Sequence, residues 1–225
     1  MGAERVSRAT AEDRGQLIRY INMIKKQKQE LRERIWSLME EQGIARFPSP
    51  IKGRIPNFEG AESAAEKLKE LPEWQKAKII ESNPDYAQRK ARELVLKDGK
   101  TLIMASPRLK AGFLKIVPEK VKRKEYAAST IKGAFAFGER LDELPQVDLK
   151  ITGSVAVDRK GRRLGKGGGF GDREVGKLKE KYGKMLVITT VHDLQVIDEV
   201  PVEKHDQGVD IILTPTKIIR IGSFT

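Results

Sequence analysis

A glycine-rich, cationic stretch between Arg162 and Arg173 places the strongest constraint on how this chain folds. Before it, the alternating apolar segment Leu149–Val157 predicts a β-strand, and Asp158 to Gly161 predicts a turn. After it, apolar residues recur at helical spacing, and Asp172 is a suitable N-cap for a helix. The stretch therefore joins a strand to the start of a helix, an arrangement typical of α/β proteins.

This stretch has the chemistry of a phosphate-binding loop. Four of the five residues at positions 165–169 are glycine, which lets the backbone approach a bulky anion, and N–H groups at a helix start attract negative charge. It does not fit the P-loop pattern, because Gly167 follows Lys166 where Ser or Thr is needed. It does not fit the dinucleotide fingerprint either, because Phe170 stands where the third glycine is needed. A flexible surface loop is the alternative that composition leaves open.

Composition limits the function without choosing it. The 225 residues carry a net charge of +12, which favours anionic partners such as nucleotides, polyanionic small molecules or nucleic acid. There is no cysteine and there are two histidines, which disfavours a disulfide scaffold, a thiolate metal site and a His-rich zinc site. No apolar run reaches about 18 residues and the N-terminus has no hydrophobic signal region, so we expect no membrane span and a cytoplasmic location.

Strand and helix patterns alternate along most of the chain. Helices are predicted over Gln16–Gln42, Glu59–Leu71 and Pro84–Lys97, the last with Asn83 as its N-cap. Strands are predicted over Ala77–Ser82, Thr101–Ala105, Leu114–Val117 (an edge strand), Leu149–Val157, Met185–Thr190 and Val209–Thr214, and Lys217–Ile221 closes the chain. This order predicts an α/β fold with a mainly parallel sheet, whose ligands bind at the carboxyl ends of the strands. We expect a mobile arm over residues 1–15 and one domain over residues 16–225.

Two cations of the first helix are candidates for the same site. Lys28 and Arg32 stand four residues apart, so they lie on one face of the helix. Taken alone, the pair favours a solvated helix surface. A second basic run, Lys120 to Lys124, is usually a solvated face, and nucleic-acid binding is its other interpretation. His192 follows a predicted strand, where functional residues cluster, but a structural role is favoured for it.

Four motifs in one order resemble the family of 5-formyltetrahydrofolate cyclo-ligases, also called methenyltetrahydrofolate synthetases. The most specific is the stretch Arg163 to Arg173 with the segment Asp148–Val157 before it. The other three are Lys28 to Arg32, Asp98 to Ala105, and Val200 to Thr214. Residues 46–66 resemble a divergent branch of the family, and the resemblance extends over residues 25–220.

The resemblance implies a three-layer α/β fold of the ribose-phosphate-isomerase and CoA-transferase type. It also implies a reaction in which ATP phosphorylates the formyl oxygen of 5-formyltetrahydrofolate. The neighbouring amine nitrogen then attacks the activated carbon, and loss of phosphate leaves 5,10-methenyltetrahydrofolate. Such chemistry depends on cations, a metal ion and positioning around the transferring phosphoryl group.

Matching motif positions implies a set of site residues. Arg163 and Lys166 would be catalytic. ATP would be bound by Lys28, Arg32, Arg163, Gly165, Gly167, Gly168, Gly169, Phe170 and Arg173. The folate would contact Asp85, Lys166, Gly167, Gly168, Gly169 and Phe170. Asp172 and Asp206 would hold Mg²⁺, because paired oxygen ligands suit a hard cation, and His205 could orient Asp206 or cap a turn.

The sequence departs from the family's pattern in the part that would bind folate. Phe170 and Gly171 replace a Tyr-Tyr pair, Asp85 replaces a glutamate, and Lys166 lies before the glycine run rather than inside it. The first alternative is therefore an ATP-dependent kinase or ligase for another small anionic molecule. The second is a basic nucleic-acid-binding module, which an aromatic content of 6% and the lack of an RNA-binding motif weaken. The expected partners are ATP and a reduced folate.

Overall fold

A computed structural model describes residues 11–222, with their side chains except those of residues 11–14, 108 and 170. Helices α1–α7 comprise Ala11–Glu41, Ala61–Glu66, Pro72–Lys76, Arg89–Lys97, Glu125–Ala128, Ile131–Phe137 and Phe170–Tyr182. Strands β1–β13 comprise Ala45–Arg46, Asn57–Phe58, Ile79–Ser82, Thr101–Ala105, Phe113–Ile116, Glu139–Leu141, Leu149–Thr152, Ala156–Asp158, Arg163–Leu164, Leu186–Thr190, Val196–Ile197, Ile211–Leu213 and Ile218–Arg220. Short 3-10 helices lie over Lys67–Glu70, Tyr86–Gln88, Pro107–Leu109, Pro118–Val121 and Asp193–Gln195.

The central sheet has eight strands in the order β13-β12-β10-β7-β3-β4-β5-β6. Its middle strands, from β12 to β4, pair in parallel. The remaining strands, β13, β5 and β6, pair antiparallel at the two sides. The predicted α/β fold with a mainly parallel sheet is confirmed. A separate small sheet has the order β11-β8-β9.

Helices cover both faces of the central sheet. Since successive side chains of a strand point to opposite faces, neighbouring residues of one strand belong to different cores. On β4, Leu102 and Met104 belong to a core that includes Leu94 of α4. Ile103 belongs instead to a second core, which includes Leu178 of α7. The architecture is therefore the predicted three-layer one. A third core joins α1 to the small sheet.

Two of the predicted strands differ from the observed ones. The predicted strand Leu149–Val157 is two strands, since β7 ends at Thr152 in the central sheet and β8 belongs to the small sheet. Between them, Gly153 packs so closely that an added Cβ would lie 2.6 Å from the side chain of Ile55. Apolar alternation is the same in both strands, so the sequence pattern hides the break. The predicted edge strand, β5, lies inside the sheet because β6 pairs outside it.

The helix starts also differ from the predictions. Helix α1 begins at Ala11 rather than at the predicted Gln16, and residues 1–10 of the expected arm lie outside the described residues. Helix α7 begins at Phe170 with Gly169 as its N-cap at a φ of 64°, so the assignment of Asp172 as N-cap was wrong. Asn83 does not cap α4, because a 3-10 turn precedes the helix and the Asn83 side chain bonds Glu174 instead. No helix in the described range is long and apolar enough to cross a membrane.

Candidate phosphate-binding loop and adjoining cavity

The glycine loop, residues 165–169, connects β9 to α7 at the wall of a cavity of about 630 Å³. The cavity is also lined by residues that follow or end β3, β4 and β7, including Asn83, Ala105 and Gly153. It therefore lies at the carboxyl edge of the parallel sheet, where α/β proteins bind their ligands.

Two arginines hold the glycine loop in place. Nε of Arg32 donates to the carbonyl oxygen of Gly165 at 2.8 Å, and Nη2 of Arg173 donates to the carbonyl oxygen of Gly168 at 2.9 Å. Gly167 has a φ of 108°, a value that favours glycine because it has no Cβ. Burial lowers the pKa of Arg32, while Asp206, Asp172 and Glu203 act in the opposite direction. Arg32 of α1 therefore contacts the loop directly, and the interpretation as a solvated helix surface was wrong for this residue.

Lys28 lies in an acidic pocket formed by the connection after β11. Its Nζ donates to Oδ2 of Asp206 at 2.5 Å and to Oε2 of Glu203 at 2.8 Å. The Lys28 side chain is 8% exposed, so this pair is largely shielded from water. The hydrogen bond from Lys28 lowers the pKa of Glu203. The structure thus brings Lys28 and Asp206 together across the chain, and it adds Glu203, which sequence analysis did not select.

Arg163 links the glycine loop to the same connection. Its Nη2 donates to Oδ1 of Asp172 at 2.5 Å, and its Nη1 donates to the carbonyl oxygen of Gly153 at 3.2 Å. The same carboxylate oxygen of Asp172 accepts the backbone N–H of Gln207 at 3.2 Å. Arg163 and Asp172 are both wall residues of the cavity.

Lys166 lies on the cavity side of the loop and pairs with Asp85. Its Nζ is 2.6 Å from Oδ1 of Asp85, and the Lys166 side chain is 41% exposed. Both residues line the cavity. These two predicted folate contacts are therefore neighbours in space, although 81 positions separate them in sequence.

The residues predicted to hold a metal ion fit a hard cation in part. Ligand atoms of Glu203, His205 and Asp206 lie within 4.8 Å of one another. Carboxylate oxygens are the ligands that Mg²⁺ prefers. Asp172 is not a member of that three-residue set, and its contact with the connection runs through Gln207 N–H. His205 lies beside Asp206 in this set, whereas His192 caps the 3-10 helix Asp193–Gln195 through a hydrogen bond from Leu194 N–H.

A buried ionic cluster lies beneath the cavity, and sequence analysis missed it. Lys150 of β7 donates from Nζ to Glu81 of β3 and, at 2.9 Å, to Oε2 of Glu174 of α7. The same oxygen of Glu174 accepts from Nδ2 of Asn83 at 3.0 Å. Burial raises the pKa of Glu81 to about 7, with Lys150 opposing and Glu174 reinforcing the shift. In sequence, a charge inside an apolar strand pattern is the signal that could have revealed the cluster.

Fold and site together define an α/β protein with a cation-lined glycine loop at the carboxyl edge of a parallel sheet. The model of the 5-formyltetrahydrofolate cyclo-ligase family matches residues 24–215, so the chain belongs to that family. Its relatives include the methenyltetrahydrofolate synthase domain-containing protein of Mus musculus, 45% identical over 205 residues, which are 87% of this chain and 55% of that protein. The chain spans about half the length of such relatives.

Two further comparisons concern proteins named for the enzyme. The 5-formyltetrahydrofolate cyclo-ligase of Escherichia coli is 37% identical over 75 residues, which are 33% of this chain and 40% of that protein. The solved structure of Aquifex aeolicus 5,10-methenyltetrahydrofolate synthetase matches with a TM-score of 0.58 and 22% identity, covering 88% of this chain and 94% of that one. At 22% identity, the likeness to the solved structure shows a shared fold alone.

Proposed function

We propose that this chain is an ATP- and Mg²⁺-dependent ligase that converts 5-formyltetrahydrofolate to 5,10-methenyltetrahydrofolate. The observation that carries the proposal is the placement of Arg32 and Arg163 against one glycine loop at the wall of the cavity, with Lys28 of the same helix as Arg32 paired to Asp206. Family membership supports the choice of reaction.

In this reaction the chain's own residues supply charge and position. Lys28, Arg32, Arg163 and Arg173 would bind the phosphates of ATP, with backbone N–H groups of the glycine loop and the start of α7 facing the transferred group. Asp172 and Asp206 would hold Mg²⁺, which neutralises phosphate charge when bound. Lys166 and Asp85 would position the formyl group and its neighbouring amine for attack.

The reaction proceeds through a phosphorylated formyl group. The formyl oxygen takes the γ-phosphoryl group of ATP, and ADP leaves. The neighbouring amine nitrogen then forms a bond to the formyl carbon, the carbon–oxygen bond breaks, and phosphate departs with that oxygen. The amine proton passes to water, and the product is the methenyl ring.

The test is turnover with a matched pair of variants. Wild-type protein with Mg-ATP and 5-formyltetrahydrofolate should develop the absorbance of the methenyl product. Arg163→Gln should lower kcat on the order of 100- to 1000-fold, because it removes a cationic donor that would stabilise the charge developing on the phosphoryl group. Arg159→Gln changes an exposed arginine of the β8–β9 turn and should leave kcat unchanged. Absence of turnover by folded wild-type protein would contradict the proposal.

A second candidate is an ATP-dependent kinase or ligase acting on another small anion. The observation that favours it is the charge of the cavity wall, where Arg54, Arg89 and Arg92 lie together with the family departure Asp85. Thermal stabilisation by Mg-ATP without stabilisation by reduced folates would favour this candidate. Stabilisation by both ligands would favour the cyclo-ligase.

A further inference from the structure

Arg92, the fourth residue of α4, lies at the wall of the cavity and is 1% exposed. It is one of two cations among the largest fully buried side chains of the described residues, and Lys150 is the other. The two differ in their partners. Lys150 is held by two carboxylates, whereas the hydrogen bonds of Arg92 all go to backbone carbonyls.

Three hydrogen bonds fix the Arg92 guanidinium. Nε donates to the carbonyl oxygen of Ser129 at 2.8 Å, and Nη1 donates to those of Asn83 at 2.6 Å and Asp85 at 2.9 Å. Within residues 11–222, no carboxylate forms an ion pair with Arg92. The Asp85 carboxylate acts on it at longer range, but that carboxylate is bonded to Lys166.

An uncompensated buried charge is costly, because neutral carbonyls replace only part of the hydration that the ion loses. Burial lowers the pKa of Arg92 to about 10, so the guanidinium still carries its charge at neutral pH. The three bonds engage Nε and Nη1, which leaves the N–H groups of Nη2 for a molecule in the cavity. A bound anion would supply the compensation that the protein does not.

A second donor lies in the same wall. Ser106, at the end of β4, is 2% exposed and lines the cavity. Its Oγ accepts the N–H of Ala111 at 2.9 Å, so its hydroxyl hydrogen can be donated elsewhere. A guanidinium and a hydroxyl suit a carboxylate, which accepts two or more hydrogen bonds.

We propose that Arg92, with Ser106, forms a carboxylate subsite in the cavity, separate from the glycine loop. It rests on the proposed function, and its ligand is the carboxylate-bearing end of the same substrate whose formyl group is phosphorylated at the loop. The glutamate portion of 5-formyltetrahydrofolate carries such carboxylates. Arg92 is thus a specificity-determining residue rather than one that acts on the phosphoryl group.

The experiment compares two ligands that differ only in this end. 5-Formyltetrahydrofolate and its diamide, in which both glutamate carboxylates are carboxamides, are titrated calorimetrically against wild-type protein, Arg92→Gln and Arg92→Lys. Wild-type protein should bind the ligand with free carboxylates about 10- to 100-fold more tightly than the diamide, as expected for a charge-assisted hydrogen bond. Arg92→Gln should reduce that ratio to about 1 without weakening the diamide, and Arg92→Lys should restore part of it. Arg220→Gln, which changes an exposed arginine paired with Glu73, should leave the ratio unchanged.

Three outcomes would overturn the subsite. Equal wild-type affinity for the two ligands would do so without any variant, which keeps the test decisive if Arg92→Gln fails to fold. An equal weakening of both ligands in Arg92→Gln would show that Arg92 only shapes the cavity. A full ratio in that variant would place the subsite elsewhere. Turnover measured on the same samples separates the two proposals, because a ligand ratio without turnover contradicts only the proposed function, and turnover without a ratio contradicts only the subsite.

Discussion

The two sides of the glycine loop treat their cations differently. On the α1 side, Lys28 is already paired with Asp206 and Glu203. On the cavity side, Arg92 is held by carbonyl oxygens alone. A ligand phosphate on the first side has to replace carboxylates, whereas a ligand anion on the second side meets a charge without a counter-ion in contact. The first side therefore favours exchange of partners, and the second favours pre-organised binding.

Beneath both sides, the cluster of Lys150, Glu81 and Glu174 has the opposite excess of charge. Two carboxylates share one ammonium in a fully buried position, and Oε1 of Glu81 has no hydrogen-bond partner there. Glu174 also lines the cavity. The cluster therefore affects the stability of the fold, and Glu174 is the member of the cluster that a ligand in the cavity can contact.

The largest expected effect comes from removing Lys28, the paired cation on the α1 side of the loop. Lys28→Met should lower kcat/KM on the order of 100- to 1000-fold, because it removes a phosphate-binding cation and leaves two carboxylates that repel the phosphates. Calorimetric titration of Mg-ATP without folate should show the loss directly. Lys26→Met, which changes an exposed lysine of the same helix, is the matched control. Undiminished binding of Mg-ATP by Lys28→Met would refute the assignment.

The buried cluster should reveal itself in the pH dependence of stability. The pKa of Glu81 is about 7 in the folded protein, against an ordinary value of 4.5. The folded protein then keeps a proton that the unfolded chain has released, so the free energy of unfolding falls as pH rises from 4.5 to about 7. This contribution amounts to as much as about 3 kcal/mol. Glu81→Gln should remove this fall in the free energy of unfolding, which urea unfolding at pH 5 and at pH 8 measures.

Glu73 provides the control for that measurement. Its hydrogen bond from Arg220 lowers its pKa to about 2, which has the opposite sign. The stability that Glu73 contributes is present above pH 4.5 and is lost only as pH falls toward 2. Glu73→Gln should therefore keep the wild-type profile between pH 5 and pH 8. Parallel profiles of Glu81→Gln and wild type would refute the assignment of the slope to Glu81.

The smallest expected effect concerns the exposed pair on the cavity side. Lys166→Gln and Asp85→Asn should each change the free energy of unfolding by less than about 1 kcal/mol, because water screens a partly exposed ion pair. A double-mutant cycle measured by chemical denaturation gives their coupling. A coupling above about 2 kcal/mol would mean that this pair is structural, rather than a pair that a substrate can open.

Local patterns were sufficient for the elements of the sheet and for the phosphate-binding loop. Thr101–Ala105 was predicted with its observed bounds, because a short apolar run between a glycine turn and a proline has few other structures. The break between β7 and β8 was missed, since it depends on the contact of Gly153 with Ile55. The N-cap of α7 was misassigned because Gly169 adopts a left-handed conformation that composition only permits.

The sequence by itself determined the α/β order, the cationic glycine loop and, through four ordered motifs, the family. These features depend on residues close together in the chain, or on spacing that the motifs preserve. Only the tertiary structure decided that Glu203 joins Lys28 and Asp206, that Glu81, Lys150 and Glu174 share one buried site, and that Arg92 has no carboxylate in contact among the described residues. The physical reason is that the energy of a charge depends on its burial and its partners, which elements distant in sequence supply when they pack.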